Sequence, residues 1–180
     1  MYIVVGLDNP GNEYLNTRHN TGRLAVEFLS DPKTGADIKN IKLVHLETFM
    51  NKSGSGVVKV VKSKVAAKKL VVIYDDLDLP LGSLKVSYDR GSGGHKGIES
   101  IIKALGTREF VRIRVGISPV TGGGKLKKPS GESAVENFIL GEFSKKEKEI
   151  LENVFKKVAE AVELISKETL STAMTLSNSK

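Results

Sequence analysis

Apolar positions follow two different periods along the chain, and the alternation of the two predicts its elements. Tyr2–Leu7 (YIVVGL) is a continuous β-branched run ended by Asn9-Pro10-Gly11, which predicts a buried strand leading into a turn. Leu24, Ala25, Phe28 and Leu29 share one helical face, so Thr21–Leu29 reads as a short helix stopped at Asp31-Pro32. Ile41–Leu46 reads as a second strand and Leu70–Tyr74 (LVVIY) as a third, buried one. Between them Val57, Val58, Val60 and Val61 approach a helical period over Ser53–Val65, a helix weakened by its β-branched residues.

The second half repeats the scheme. Pro80-Leu81-Gly82 marks a turn, and Leu84–Tyr88 and Phe110–Ile117 are strands, with Arg112 and Arg114 alternating against Val111, Ile113 and Val115. Gly94–Leu105 carries Ile98, Ile101, Ile102 and Leu105 on one stripe, a helix. Thr121–Gly131 reads as a flexible basic loop. Ser144-Lys-Lys-Glu147 is a capping box opening a long helix with Leu151, Val154, Phe155, Val158, Val162 and Ile165 inward, its exposed Glu and Lys being ordinary solvated charge. Strands alternating with helices, with no repeat or linker, predict a single α/β domain over residues 1–180 around a mixed or parallel sheet.

Composition narrows the chemistry. The absence of cysteine excludes a disulfide scaffold, a thiolate metal site and thiol catalysis. No apolar run approaches the roughly 18 residues of a membrane span, and MYIVVGLDNPGNEY lacks the features of a signal peptide, so a soluble, cytoplasmic protein is expected. The net charge of +7 is unevenly placed. Residues 1–84 carry +2 and residues 129–180 carry −2, while residues 85–128 carry +7. One block holds the excess, as a polyanion-binding face would require, although a solvated basic surface without ligand has the same composition.

Several motif readings fail. RGSGGHKG (Arg90–Gly97) does not satisfy G-x-G-x-x-G, because the third glycine would fall on Lys96, and no Walker loop is present. Asp75, Asp76 and Asp78 follow a buried strand, where α/β sheets place functional carboxylates, but they lack further oxygen ligands for magnesium. His95 and Glu99 lie one helical turn apart without a second histidine, so H-E-x-x-H zinc chemistry is absent. Of the three histidines, His45 lies inside a strand. His19, in NPGNEYLNTRHNTG at the mouth of the first helix, is the best general base. Asp75 is positioned in sequence to orient it, and Asn51 adds an amide for a carbonyl or a water. No G-x-S-x-G elbow exists, which favours direct attack by water over an acyl-enzyme.

VGLDNPGNEYLNTRHNTG, TFMNKSG, YDDLDLPLG and GSGGHKGIESII, in that order, resemble the bacterial-type peptidyl-tRNA hydrolase family from about Val4 to Ile117, with weaker support in VENFILGEFS. The resemblance implies a monomeric α/β fold around a mixed, twisted central sheet flanked by helices. It implies hydrolysis of the ester joining a peptide to the 3′-terminal ribose of tRNA, recycling tRNA from aborted translation without metal or cofactor. Carried over by motif, His19 is the catalytic base and Asp75 its partner, Asn9 and Asn51 are substrate-binding amides, and Tyr14 is a pocket aromatic. Asp76 and Asp78 are expected to be structural. The basic block gains a ligand in the tRNA acceptor stem, with Lys85, Arg114, Lys125, Lys127 and Lys128 as the expected phosphate contacts.

Two features depart from the family's pattern. Its His-Asn-Gly is His95-Lys96-Gly97 here, replacing an amide that donates and accepts by an ammonium that only donates. Lys96 could pair with a terminal phosphate or disturb the placing of water, so retained but altered activity is expected. The interval from His19 to Asn51 is also short for the family, so a strand or hairpin is expected to be trimmed, leaving Asp31–Asn40 as the connector. A non-catalytic RNA-binding protein on the same fold is the competing reading. Lys96 favours it slightly, and the intact His19, Asp75, Asn9 and Asn51 weigh against it.

Overall fold

In the computed structural model, which describes residues 1–33 and 38–179, five strands form one mixed sheet. They are β1 (Tyr2–Gly6), β2 (Ile41–His45), β3 (Leu70–Pro80), β4 (Leu84–Tyr88) and β5 (Val111–Ser118), in the order β2-β1-β3-β5-β4. β1 pairs in parallel with β2 and β3, β3 pairs in parallel with β5, and β4 closes the edge antiparallel to β5. The continuous apolar run of β3 follows from this place. Leu70 to Tyr74 are buried because helices cover both faces of a central parallel strand.

The helices are α1 (Thr21–Ser30), α2 (Ser53–Val60), α3 (Lys64–Ala67), α4 (Lys96–Leu105), α5 (Glu132–Ile139), α6 (Lys145–Lys167) and α7 (Leu170–Asn178). One face of the sheet packs Val4, Val71, Ile73, Ile113 and Val115 against α1 and the inward stripe of α6. The other packs Val5, Val72, Tyr74 and Phe110 against α2 and α4. All six residues expected on the inner stripe of α6 are buried, and its capping box is formed in both directions.

Three elements and one side chain differ from the sequence pattern, and α7 is an element the pattern did not predict. The helix expected over Ser53–Val65 breaks at Val61, which is extended, and restarts at α3 because the Ser63 hydroxyl caps the Ala66 N–H. β3 runs on through the carboxylates to Pro80 instead of stopping at Tyr74, with a register shift between Asp76 and Pro80. α5 was not expected from the sequence, because its apolar stripe of Val135, Phe138 and Ile139 is one turn long and only half-buried. Glu147 is more than a solvated charge, since it pairs with Arg18 at 3.1 Å. The connector expected over Asp31–Asn40 falls partly on residues 34–37, which lie outside the described residues.

Two glycines set how closely α1 approaches the sheet. A Cβ on Gly22 would lie 2.2 Å from the Ile73 carbonyl oxygen, and one on Gly6 would lie 2.0 Å from that of Gly22. Both positions must lack a side chain for the first turn of α1 to rest on β1 and β3. That contact carries the preceding turn, Arg18–Asn20, to the carboxyl ends of the parallel strands, where ligands bind in open α/β sheets.

Candidate active site

His19 lies in that turn and Asp75 is the sixth residue of β3; both are buried. His19 Nδ1 is 3.0 Å from each Asp75 carboxylate oxygen, so it donates its N–H there and leaves Nε2 as an acceptor. His95, not expected at the site, completes the group. Its Nδ1 accepts from the Ile98 N–H at the start of α4, so Nε2 carries the proton and donates to Asp75 Oδ1 at 3.1 Å. The two imidazoles are 5.0 Å apart between centroids. The H-E-x-x-H motif is absent as the sequence shows, and the histidine beside His95 comes instead from a distant part of the chain.

The electrostatics follow from this geometry. Burial alone would raise the Asp75 pKa, but His19 and then His95 outweigh it and hold the carboxyl well below the usual carboxylate range. Burial alone would lower the His19 pKa. The charge and hydrogen bond of Asp75 raise it nonetheless above the ordinary 6.5, against a smaller opposing effect of Lys96. Atoms of His19, Asp75 and His95 able to ligate a metal lie within 4.8 Å of one another. Their contacts to Asp75 are direct hydrogen bonds, so these donors are spent on one another, an arrangement suited to holding a proton.

Asparagines build the adjoining wall. Asn20, fully buried, accepts from the Asn9 N–H through Oδ1 and donates to the Asn9 carbonyl through Nδ2. Asn9 Oδ1 accepts from the Met50 N–H, which ties the turn after β1 to the segment bearing Asn51. With Oδ1 taken, Nδ2 is the group Asn9 has to offer a ligand. Asn9, Tyr14, Asn51 and Lys96 all line one cleft of about 1030 Å³ with His19, Asp75 and His95. Val135, Ile139 and Leu140 from the α5 region form its apolar side. Arg18 holds that side to the His19 turn, since it bonds Glu147 and its guanidinium lies 4.6 Å over the Phe138 ring.

The basic residues divide. Arg114 lines the cleft and is held by Asp76 at 2.6 Å; Lys128 lines it and is held by Asp78. Those are the structural tasks of the two remaining carboxylates. Lys85, Lys125 and Lys127 are exposed but do not line the cleft, whereas Lys52 and Arg90, not singled out in the sequence, do. Arg112 shares the sheet face of Arg114 but is 1% exposed, with Nη1 on the Gly91 carbonyl and its guanidinium 4.5 Å over Phe110. His45, at the end of β2, is exposed and outside the cleft.

Fold and cleft together define an α/β protein with a histidine–carboxylate centre at the carboxyl ends of its parallel strands. The chain belongs to the peptidyl-tRNA hydrolase family, whose model matches residues 3–180. A peptidyl-tRNA hydrolase of Thermotoga maritima is 41% identical over 189 residues, covering 98% of this chain and 97% of its own. One of Pseudothermotoga lettingae is 38% identical over 191 residues, covering 99% and 97%. The crystal structure of the Acinetobacter baumannii peptidyl-tRNA hydrolase superposes with a TM-score of 0.82 at 28% identity, over 99% of this chain and 94% of its own. No helix among the described residues is long and apolar enough to cross a membrane.

Proposed function

We propose that the protein hydrolyses the ester between a peptide and the 3′-terminal ribose of tRNA. The observation that carries this reading is Asp75, which receives an N–H from each of two imidazoles and leaves His19 Nε2 as the cleft's proton acceptor. Family membership supplies the substrate. His19 takes a proton from water as the water oxygen bonds to the ester carbonyl carbon, and Asp75 stabilises the imidazolium that forms. The tetrahedral intermediate then expels the ribose oxygen, which receives the proton back from His19. The products are a peptide acid and a free tRNA hydroxyl. Asn9 and Asn51 donate from their side-chain amides to the carbonyl oxygen as it gains charge, and Tyr14 borders the bound ester. The charge and hydrogen bond of Asp75, acting against burial, make the base.

The acceptor stem lies along the basic rim, with phosphates against Arg114 and Lys128 at the cleft and Lys85, Lys125 and Lys127 beyond it. Lys96 faces the substrate end. The protein acts as a monomer in the cytoplasm and returns tRNA to use after aborted translation. The test is release of free tRNA from N-blocked aminoacyl-tRNA, with and without EDTA. Release by the wild type, unaffected by chelation and lost in His19→Ala, is expected. Tight, salt-sensitive tRNA binding with no release would overturn the hydrolytic reading. Equal release by His19→Ala would remove His19 from the mechanism.

A further inference from the structure

The cleft's cations are not equivalent in what they face. Arg114 is held by Asp76, Lys128 by Asp78, and Arg112 is buried under the Gly91 carbonyl. Lys96 is exposed, lines the cleft with His19, Asp75 and His95, and forms no ion pair among the described residues. It is the first residue of α4 and directly follows His95, so its position is fixed by the residue that caps that helix. Its charge stands at the positive end of the α4 dipole, beside a cluster whose formal charge, with both imidazoles neutral, is the single negative charge of Asp75.

A histidine paired with a buried carboxylate has a problem as a base. The carboxylate that orients the ring also favours its protonation, and a protonated His19 cannot accept a proton from water. We propose that Lys96 is a positioning residue acting through His19: its ammonium charge offsets that of Asp75 and keeps His19 in the neutral, proton-accepting form at a lower pH than Asp75 alone would permit. The proposal rests on the reading of His19 as the general base.

Lys52 and Arg90 also line the cleft, but of its cations only Lys96 acts on His19, and the remaining charged groups around His19 do not supply this offset. From β3 it meets Asp75, which acts in the opposite sense, and from α4 it meets His95, with the ring centroids 5.0 Å apart; Lys96 is the next residue along the chain and lines the same cleft. Arg18, its neighbour, is paired with Glu147 of α6. Arg23 of α1 is paired with Asp8 and Glu27. Glu132 and Glu136 of α5 line the far side of the cleft and carry the wrong sign. Because Lys96 is exposed, its influence should be screened by salt, whereas the buried contact between His19 and Asp75 should not be.

The test measures the His19 midpoint directly, by NMR titration of the imidazole Cε1 resonances, in wild type, Lys96→Gln and Lys96→Arg. Only three histidines need assignment. The expected result is a higher His19 midpoint in Lys96→Gln, an unchanged one in Lys96→Arg, and a difference that shrinks between about 0.05 M and 1 M salt as the Debye length contracts. On N-blocked aminoacyl-tRNA, kcat/KM of Lys96→Gln should fall about two- to ten-fold below wild type on the acid side, the ratio narrowing as pH rises. An identical His19 midpoint in wild type and Lys96→Gln at low salt would overturn the proposal. Failure of the wild type to release tRNA would instead overturn the hydrolytic reading, and the NMR comparison would still decide the action of Lys96 on His19.

Discussion

His19 and His95 meet at one oxygen of Asp75, at 3.0 and 3.1 Å, although 75 residues separate them along the chain. His19 arrives on the turn pressed against β1 and β3 by α1, and His95 arrives as the cap of α4 from the other side of the sheet. A carboxylate accepting two buried N–H groups is held ionised, and an ionised Asp75 both orients His19 and raises its proton affinity. Base strength and base availability are therefore set by the same contact.

The pH dependence has a definite sign. Catalysis needs neutral His19, whose pKa lies above 6.5, so kcat/KM should fall on the acid side with a midpoint above 6.5. Stability runs the other way. A raised folded-state pKa means that the His19 contribution is complete below 6.5 and is lost as pH rises through the folded value. The contribution of Asp75, whose pKa is lowered, is present at neutral pH and is lost only in strong acid. Thermal unfolding compared between wild type and His19→Ala from about pH 5 to 8, the window in which an imidazole titrates, and above it should show the wild type's advantage shrinking as activity rises. Asp75→Asn should lower kcat about 10²–10⁴-fold and move the acid limb downward, because burial then acts on His19 without an opposing charge.

His95 touches Asp75 rather than the base, and its removal should read accordingly. Without the His95 N–H, Asp75 directs more of its negative charge at His19. His95→Ala should shift the acid limb of kcat/KM upward while leaving the rate at high pH within about ten-fold of wild type. It also loses the side-chain acceptor at the start of α4, a cost of about 1 kcal/mol in stability. A pH–rate profile and a denaturant titration of the same variant separate the two effects. An unshifted limb with only the stability loss would reduce His95 to a helix cap.

Much of this site was legible before the fold was known, and the exceptions have physical causes. His19 stood out as a histidine after a strand and turn at the mouth of the first helix, and Asp75 because it directly follows the β-branched run of β3, although that strand continues past it to Pro80. His95 did not, since its partners are distant in sequence and a search within one helical period could not reach them. Its rarity as one of three histidines, directly before an amphipathic stripe, was the available signal. Strand alternation put Arg112 and Arg114 on one face, but not the Gly91 loop that roofs Arg112 while Arg114 opens to the cleft. α5 escaped because its apolar stripe, Val135, Phe138 and Ile139, is one turn long and only half-buried.

Gly22 tests whether close approach of α1 sets the site. An alanine Cβ there would meet the Ile73 carbonyl oxygen at 2.2 Å and the Leu7 nitrogen at 2.4 Å, both backbone atoms that cannot rotate away. Gly22→Ala should cost about 1–3 kcal/mol by overpacking, or more if the strands resist. The shift needed to relieve it displaces the turn before α1, so kcat should fall at temperatures where the variant is still folded. Unfolding in urea and activity at about 15 °C would show both losses; normal activity in a destabilised variant would separate the packing of α1 from the placing of His19.

The rim makes a last, opposite-signed prediction. Lys128 lines the cleft but is held by Asp78, and both side chains are more than half exposed, so the pair contributes little to stability. A tRNA phosphate approaching Lys128 must compete with that carboxylate. Asp78→Asn should leave thermal stability within about 0.5 kcal/mol and tighten tRNA binding at low salt. It should also steepen the salt dependence by up to about one counterion, a slope change near 0.9 in duplex nucleic acid. Lys128→Ala should weaken binding and flatten the slope. Filter binding of deacylated tRNA across a salt series distinguishes the cases. If Asp78→Asn and wild type bind alike while Lys128→Ala is also unchanged, Lys128 carries no phosphate.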